Sequence, residues 1–288
     1  MKVWIDGRIV EAADARVSVT DHGLLYGDGV FEGMRVYHRR VFRLADHLRR
    51  FRAGLDAIGL ALPGGIEGVE KAVLETARAY GRDEAYLRLV ATRGAGGLGV
   101  DPTLCERPTL FCIADAIRLY DAAKLARGID LVTVSVRRPA ADALDPRVKS
   151  LNYLNSVLAK REARLRGADE GLILNAQGLV AEAAVANVFT VRDGVLTTPP
   201  PSDGCLEGIT RASVLELAAR LGIAAREASL GRFDLFAADE VFLTGSGARI
   251  VPVGTFDGAV VGLGGRGPVT QRIDDAFGPY TKERGTAF

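Results

Sequence analysis

The pattern of apolar and polar residues divides the first part of the chain into short elements of both kinds. It predicts a hairpin around Asp6 and Gly7, a helix that begins near Leu44, and a second helix over 66–80. Strands are predicted over 85–92 and 109–114. Because helices and strands alternate along the chain, the predicted fold class is mixed α/β, in the α+β sense.

The second part of the chain is richer in hairpin signals. Apolar runs over 171–182 and 187–198 each reverse at a turn that ends in glycine. Two consecutive hairpins predict an antiparallel sheet and not a doubly wound parallel one. An amphipathic helix is predicted to begin at Gly208, and Gly222 is placed to end it.

Composition sets the size and the general class of the protein. The 288 residues are 25% charged and 48% hydrophobic, enough for one large domain or two smaller ones, and we expect two. A polar connection over 115–121 is the predicted linker between a small domain over 1–114 and a larger one over 122–288. The net charge of +1 gives no electrostatic reason to expect nucleic acid or an anionic membrane, so small molecules are the expected partners.

The amino-terminal residues are typical of a strand, and no secretory signal is expected from them. Apolar runs are short and interrupted by charges, which argues against a membrane-spanning helix. These observations predict a cytoplasmic protein. Three widely spaced cysteines predict free thiols, and neither they nor the three scattered histidines form a pattern typical of a metal site.

Lys149 lies at a predicted junction between a strand over 131–136 and a helix over 152–165. The helix is indicated by the apolar spacing of Leu154, Val157, Leu158 and Leu165. A long amine at such a junction can be directed into a cleft, and a lysine of lowered pKa can form a Schiff base with an aldehyde. Lys149 is therefore the candidate covalent catalyst, with a solvated loop lysine as the alternative.

Two further positions suit a ligand, one an anion and the other a flat ring. The turn over 206–211 suits an anion, because Gly208 allows close approach, the first helical amides lack partners, and Thr210 adds a hydroxyl. A plain threonine N-cap is the alternative there. Glu182 ends an apolar strand among small residues, and an ionised Glu182 beside a pyridine ring would keep the ring nitrogen protonated. A solvated glutamate is the alternative there.

Two glycine-rich segments complete the candidates. An apolar strand over 241–249 runs into glycines and small hydroxyls, whose amides can bind a carboxylate or phosphate oxygen, with a flexible turn as the alternative. The segment 26–33 is interrupted by glycines, and a bulged strand is the default interpretation.

Taken together and in this order, these segments resemble the fold type IV pyridoxal phosphate enzymes, and most closely the branched-chain amino acid aminotransferases. The resemblance covers nearly the whole chain, and its specificity comes from the ordered set and not from any one motif. It rests on 22–27, 30–33, 46–50, 86–88, 149–153, Glu182, 208–211 and 239–245.

The resemblance implies a role for each candidate residue. Lys149 would form the Schiff base and shuttle the proton, Glu182 would pair with the pyridine nitrogen, and Tyr153 would donate to the ring oxygen. The cofactor phosphate would be bound by Arg50, Ile209 and Thr210. The other implied residues are Ser246 and Gly247, whose amides would face the cofactor or the substrate carboxylate, and Tyr26, Phe31, Tyr86 and Arg88, which would line the substrate pocket.

The resemblance also implies an architecture and an activity. It implies two mixed domains with pyridoxal 5′-phosphate at the domain interface. It also implies a homodimer or higher homo-oligomer, in which the loop over 94–100 is lent to the partner's active site. The implied reaction moves the amino group of leucine, isoleucine or valine to 2-oxoglutarate. Amino acids and 2-oxo acids are therefore the expected partners, and no metal is expected.

The sequence departs from the branched-chain pattern in two places. The apolar run over 183–186 is closer to D-amino acid aminotransferases or aminodeoxychorismate lyases, and the residues over 246–249 also differ, with Arg249 adding a positive charge. A D-amino acid or (R)-amine transaminase and an aminodeoxychorismate lyase are therefore alternatives within the fold, although Tyr86 and Arg88 match the branched-chain pocket. A non-catalytic protein that binds a phosphate ligand is the alternative of a different class.

Overall fold

The computed structural model describes residues 1–117 and 120–288. The chain forms two compact units, one of Met1–Arg118, Val148–Asn152 and Thr281–Phe288, and one of Leu119–Arg147 and Tyr153–Tyr280. The predicted linker over 115–121 contains residues 118 and 119, which lie outside the described residues. The first unit includes two later segments of the chain, whereas the predicted domains over 1–114 and 122–288 are continuous, and that boundary stays a prediction.

Strands and helices alternate along much of the chain. The strands are β1 (Lys2–Ile5), β2 (Arg8–Glu11), β3 (Gly29–Tyr37), β4 (Arg40–Phe42), β5 (Ala85–Thr92), β6 (Thr109–Asp115), β7 (Ile129–Arg137), β8 (Glu170–Leu174), β9 (Val180–Ala183), β10 (Asn187–Arg192), β11 (Val195–Thr198), β12 (Ala225–Glu227), β13 (Glu240–Gly245), β14 (Arg249–Phe256), β15 (Ala259–Val260) and β16 (Gly285–Ala287). The α-helices are α1 (His22–Tyr26), α2 (Leu44–Ala57), α3 (Gly65–Tyr80), α4 (Ala122–Arg127), α5 (Leu154–Leu165), α6 (Ile209–Arg220), α7 (Arg232–Phe236) and α8 (Pro268–Glu283), and short 3₁₀ turns lie at Pro102–Leu104 and Pro201–Asp203.

The first unit is an antiparallel sheet in the order β16-β4-β3-β5-β6-β1-β2. Strand β3 is buried at every position and lies between β4 and β5. Helices α2 and α3 pack on this sheet, and their apolar faces form its core with the strands, as Phe51, Val73, Met34 and Leu87 illustrate. Full burial of such a side chain contributes roughly 1.5–3 kcal/mol, so this face of the sheet sets the position of β3 and β5.

The second unit is a mixed sheet in the order β12-β11-β10-β13-β14-β7-β8-β9, with β15 paired to β14. Both predicted hairpins are present, as β8 with β9 and β10 with β11. The purely antiparallel sheet that the hairpins predict is wrong, because β7 runs parallel to β8 and β14, and β11 runs parallel to β12. Helix α5 connects β7 to β8 and α6 connects β11 to β12, and crossovers of this kind return the chain in the same direction.

Helix α5 buries a different face from the one its apolar spacing suggests. Leu154 and Leu165 are 69% and 71% exposed, and Val157 and Leu158 are also exposed. The buried positions are Ser156, Ala159 and Ala163. A Cβ at Gly171 on β8 would lie 3.0 Å from the Ala159 carbonyl oxygen and 2.8 Å from Cγ1 of Val134, so only small residues allow α5 to approach the sheet this closely.

The segment 22–26 is helical, so the bulged strand expected over 26–33 is wrong at its start. Asp21 accepts a hydrogen bond from the N–H of Gly23 and caps α1, and Gly27 ends the helix in the left-handed region with φ of 71°. A Cβ at Gly27 would lie 2.5 Å from Oδ1 of Asn152. This position therefore requires glycine for two reasons, the positive φ and the close contact with Asn152. Strand β3 then begins at Gly29 and runs to Tyr37.

The three cysteines are free thiols, as predicted. Burial raises the pKa of the Cys112 and Cys205 thiols to about 12, so both remain protonated in the packed interior. In the ranges 1–117 and 120–288, no cluster of three or more histidine, cysteine, aspartate or glutamate residues is arranged to hold a metal ion. Among the helices of these ranges, none combines the length and the apolar character that crossing a membrane requires.

We expect Gly171→Ala to destabilise the second unit by about 1–3 kcal/mol, because the added methyl group overpacks the contact between α5 and β8. Urea denaturation followed by circular dichroism measures the change. Gly278→Ala in α8 is the matched control, since a Cβ there meets open space and alanine favours a helix. Equal stability of the Gly171→Ala variant and the unmutated protein would contradict the close packing of α5.

Candidate functional site

The backbone around Lys149 is fixed to strand β3. Lys149 lies in the connection between β7 and α5, as predicted for a strand-to-helix junction. The N–H of Phe31 donates to the carbonyl of Lys149 at 3.0 Å, the N–H of Leu151 donates to Gly29 at 2.9 Å, and Ser150 forms a bridge with Val30. The half-buried side chain places Nζ 4.3 Å from the centre of the Phe31 ring. The amine therefore has a defined position on an aromatic face that attracts a cation.

Three predicted pocket residues lie together on β3 and β5. The guanidinium of Arg88 is 4.5 Å from the centre of the Phe31 ring and donates to the Tyr86 hydroxyl at 2.9 Å. Gly33, the cross-strand partner of Arg88, leaves room for this arrangement, because a Cβ at Gly33 would lie 2.2 Å from the Tyr86 hydroxyl. Phe31 thus contacts both Arg88 and Lys149, so the lysine and these three residues form one cluster.

Arg50 is held by a buried carboxylate. Its Nε and one terminal nitrogen donate to the two oxygens of Glu32 at 2.7 and 2.8 Å, and His47 Nδ1 lies 2.7 Å from Glu32. Burial alone would raise the pKa of Glu32, but the charges and hydrogen bonds of Arg50 and His47 lower it to about 2. Burial lowers the pKa of His47, and the nearby Glu32 charge opposes this only in part. Glu32 is therefore ionised at neutral pH and fixes the guanidinium of Arg50 in a defined plane.

Glu182 is buried, unlike a solvated glutamate at a strand end. Arg138 lies 2.7 Å from one of its oxygens, and the other accepts hydrogen bonds from the Asn187 side chain and the N–H of Leu206, both at 3.1 Å. Arg138 is fixed in turn, since its Nε donates to the carbonyl of Gly204 at 3.0 Å. A buried carboxylate with a cationic partner and two further donors is an arrangement that favours the charged form.

Helix α6 begins at Ile209, with Gly208 as its N-cap. The threonine N-cap considered from the sequence is wrong, because Thr210 is the second residue of the helix and is buried. Gly208 has no side chain to cap the first amides, and a Cβ there would lie 1.9 Å from Oδ1 of Asn187. The amides of Ile209 and Thr210 thus stand at a positive helix end that suits an anion.

The remaining predicted residues of the second unit lie in two turns. Tyr153 is half-buried at the N-cap of α5. Ser246 and Gly247 form the turn between β13 and β14 and are half-buried. Arg249, which follows this turn with φ of 65°, is paired with Asp274 at 2.9 Å. Asp274 also pairs with Arg266 at 3.0 Å, so two guanidinium groups share this one carboxylate.

The predicted residues are divided between the two units. The first unit contains Tyr26, Phe31, Arg50, Tyr86, Arg88 and Lys149, and the second contains Tyr153, Glu182, Ile209, Thr210, Ser246 and Gly247. Tyr26 ends α1, and its hydroxyl accepts a hydrogen bond from the N–H of Gly99 at 2.9 Å.

Several residues that support the site have no clear signal in the sequence. Glu32 and His47 belong to segments of the resemblance, but nothing in the sequence pairs them with Arg50. Arg138 and Asn187 carry no motif, and only the fold places them on Glu182. Thr244 is a further candidate, because its buried hydroxyl has no hydrogen-bond partner in the part of the chain that the structure describes.

The chain is similar to known proteins over nearly its whole length. The sequence model of the family described as amino-transferase class IV matches residues 29–256. A relative from Methanocaldococcus jannaschii, whose name gives it provisionally as a branched-chain-amino-acid aminotransferase, is 46% identical over 277 residues, which are 96% of this chain and 95% of the relative.

Two solved structures are similar as well. The branched-chain aminotransferase of the thermophilic archaeon Thermoproteus uzoniensis, with norvaline, has a TM-score of 0.91 at 41% identity, covering 99% of this chain and 95% of that one. The branched-chain amino acid aminotransferase of Thermobaculum terrenum, in its PLP-form, has a TM-score of 0.87 at 30% identity, covering 98% of this chain and 94% of that one.

We expect Glu32→Gln to change how stability depends on pH. Because folding lowers the pKa of Glu32 from 4.5 to about 2, its charge stabilises the fold above pH 4.5, and this contribution is lost as the pH falls to 2. The difference in the free energy of unfolding between the unmutated protein and the variant should therefore shrink by about 3 kcal/mol across that window. Urea titrations followed by the fluorescence of the single tryptophan, Trp4 in the first unit, measure it.

The control for this experiment is Glu84→Gln, which removes the carboxylate partner of Arg35 on the same unit. The Glu84 side chain is 44% exposed, so its removal should leave the pH dependence nearly unchanged. A stability difference for Glu32→Gln that stays constant from pH 5 to pH 2 would contradict the assignment.

Proposed function

We propose that this chain, which belongs to the class IV aminotransferase family, transfers the amino group of leucine, isoleucine or valine to 2-oxoglutarate through pyridoxal 5′-phosphate. The observation that carries the proposal is the buried Glu182 carboxylate with Arg138 at 2.7 Å. A protein that only binds a phosphate group has no need of a buried negative charge, whereas a protonated pyridine ring requires one. The branched-chain names of the similar proteins support the substrate class.

The hydrogen-bond donors and acceptors of the predicted site are of the types that this cofactor needs. An ionised Glu182 suits a pyridinium N–H, and the uncapped amides of Ile209 and Thr210 suit a phosphate. The guanidinium of Arg50 would add charge to the phosphate site, Tyr153 would donate to the ring oxygen, and Ser246 would contribute to cofactor binding. When bound, pyridoxal phosphate supplies an electron sink for the pair released at the substrate α-carbon.

Lys149 is the residue that we assign to covalent attachment and proton transfer. Its Nζ would take the proton from the substrate α-carbon and return it on the cofactor side. The Phe31 ring beside Nζ holds the amine in a defined position for this transfer. The backbone bonds that join Lys149 and Leu151 to β3 would keep this transfer on one face of the substrate.

The substrate pocket that we propose is the cluster on β3 and β5. Phe31 and the ring of Tyr86 offer apolar surface to a branched side chain, together with Tyr26, while Gly247 would supply an amide to the substrate carboxylate. The distal carboxylate of 2-oxoglutarate needs a cation, and Arg88 is the candidate. Its Nε is buried and has no hydrogen-bond partner among the residues that the structure describes.

We also propose a homodimer, or a higher homo-oligomer, in which the segment 94–100 contributes to the partner's site. Leu98 and Val100 in this segment are 82% and 80% exposed, and apolar side chains so exposed are typical of a contact surface. The cytoplasmic location stays a prediction from the sequence.

The alternative within the fold is a transaminase for D-amino acids or (R)-amines. The apolar run over 183–186 favours it, although Ala183 and Ala184 are buried and only Val185 is largely exposed, at 64%. A preference for D-alanine over L-leucine would overturn the branched-chain assignment. The aminodeoxychorismate lyase would release pyruvate without an amino acceptor, and this product distinguishes it.

The proposed function is tested with purified protein, pyridoxal phosphate, L-leucine and 2-oxoglutarate, with glutamate as the measured product. Borohydride treatment should fix the cofactor to a peptide that contains Lys149, and the Lys149→Ala variant should capture none. Lys71→Ala, an exposed lysine of the same unit, is the control for the substitution. Reversible binding without covalent capture would support the non-catalytic alternative.

We expect Glu182→Gln to retain most of the affinity for pyridoxal phosphate and to lose about 10²-fold in kcat, because a neutral amide cannot stabilise a protonated ring nitrogen. Cofactor titration by absorbance and steady-state kinetics give the two quantities. Glu162→Gln, whose side chain accepts from Ser135 instead, should have little effect on either. Turnover close to that of the unmutated protein would show that a group other than Glu182 pairs with the ring nitrogen.

We expect Arg88→Leu to slow the half-reaction with 2-oxoglutarate by about tenfold or more relative to the half-reaction with leucine, because only the oxo acid has a second carboxylate to bind. Single-turnover spectroscopy measures the two half-reactions separately. Arg52→Leu, an exposed arginine of the same unit, is the control. Equal slowing of both half-reactions would limit Arg88 to a structural role.

A further inference from the structure

Arg249 adopts a backbone conformation that residues other than glycine rarely take. It is the first residue of β14, directly after the turn over 246–248, and its φ of 65° lies in the left-handed region. A residue with a side chain loses free energy in this region, and it persists there only where its surroundings hold it in place. The side chain of Arg249 must therefore supply contacts that offset this loss.

Three contacts hold the Arg249 side chain on helix α8. Its Nε lies 2.9 Å from Oδ1 of Asp274, and a terminal nitrogen donates to the carbonyl of the same residue. The guanidinium carbon lies 5.2 Å from the centre of the Phe277 ring, which is three residues further along α8. The Arg249 and Asp274 side chains are 30% and 15% exposed, so water and salt screen this ion pair less than a pair on the open surface.

Helix α8 is itself fixed to the start of β13. The buried carboxylate of Glu240, the first residue of β13, accepts hydrogen bonds from the N–H groups of Val269 and Thr270, both at 2.8 Å. These amides belong to the first turn of α8 and have no partner within the helix, so a carboxylate is well placed to cap them. Strand β13 is therefore joined to α8 at its first residue, and the turn that follows β13 is joined to α8 through Arg249.

The end of β13 also lies next to the uncapped start of α6. Thr244, two residues before the turn over 246–248, pairs with Asn187 across β13 and β10. The Asn187 side chain donates to Glu182 at 3.1 Å, and a Cβ at Gly208, the N-cap of α6, would lie 1.9 Å from its Oδ1. The turn therefore follows a strand whose end contacts, through Asn187, both the buried carboxylate and the helix start that suits an anion.

We propose that Arg249 is a positioning residue, whose contacts with Asp274 hold the turn over 246–248 so that its amides bind the cofactor phosphate together with the first amides of α6. This inference rests on the proposed function, in which Ser246 contributes to cofactor binding. Arg249 contacts neither cofactor nor substrate in this role. Its guanidinium acts through the backbone of the turn that precedes it.

The experiment compares Arg249→Met with Arg266→Met in the full-length protein. Each variant removes one of the two cations that pair with Asp274, at 2.9 and 3.0 Å, but only Arg249 adjoins the turn. We expect the dissociation constant of pyridoxal phosphate, measured by absorbance titration, to rise about tenfold in Arg249→Met. The dissociation constant of pyridoxal, which has no phosphate, should change by less than about twofold. Arg266→Met should leave both constants close to those of the unmutated protein.

Amide hydrogen exchange of the protein loaded with pyridoxal phosphate gives a second measurement. Exchange over 245–249 should be about fivefold faster in Arg249→Met, because the turn loses its contact with α8. Arg249→Lys retains a cation for Asp274 and should restore slow exchange and most of the affinity for pyridoxal phosphate. Asp274→Asn removes the charge and leaves residue 249 intact, so it tests the same contact if Arg249→Met folds poorly.

An equal rise of both dissociation constants in Arg249→Met would overturn the inference, and so would unchanged exchange over 245–249. Equally weakened binding of pyridoxal phosphate in Arg266→Met would overturn it as well, because the loss of either partner of Asp274 would then suffice. In each case the unmutated protein still forms glutamate from L-leucine and 2-oxoglutarate, so the proposed function stands. An unmutated protein that forms no glutamate would overturn the proposed function, and this inference with it.

Discussion

The backbone hydrogen bonds that join Lys149 and Leu151 to β3 are the constraint on which the first half of the site depends. The connection over 138–153 is irregular, and a segment of this length loses much conformational entropy when it is ordered. Each backbone bond contributes only about 0.5–1.5 kcal/mol, but the bonds at Lys149 and Leu151 together hold this part of the connection on β3. Strand β3 is buried along its whole length and is therefore held firmly in place. The backbone of Lys149 is held in place as well, because it is bonded to this strand.

Each unit contains a buried carboxylate whose charge is compensated by an arginine. Glu32 with Arg50 and Glu182 with Arg138 are carboxylates taken out of water and paired with a guanidinium within 2.7 Å. A buried ion pair adds little net stability, but the loss of one partner costs about 3–5 kcal/mol because the other charge is left uncompensated. Such a pair therefore specifies the position of charge far more strongly than it stabilises the fold.

The sequence predicts well what neighbours along the chain determine. The start of α2 and the bounds of α3 and β5 follow from local periodicity. The position of Lys149 between a strand and a helix follows from the pattern of the neighbouring residues, and its catalytic role is implied by the resemblance. The sequence does not predict what depends on partners distant in the chain. The parallel pairing of β7 arises from crossovers, the exposed apolar face of α5 arises from close packing at Gly171, and Arg138 meets Glu182 across 44 positions. Periodicity and motifs carry no information about such partners.

The position of β16 late in the sequence affects the order in which the two units can fold during synthesis. Strand β16 pairs with β4, so residues 285–287 complete the sheet edge of a unit whose other strands all precede residue 116. A ribosome therefore releases nearly all of the second unit before the first can close its sheet. Contacts so distant in sequence slow folding, and the first unit exposes the edge of β4 to other unfinished chains until β16 has been synthesised.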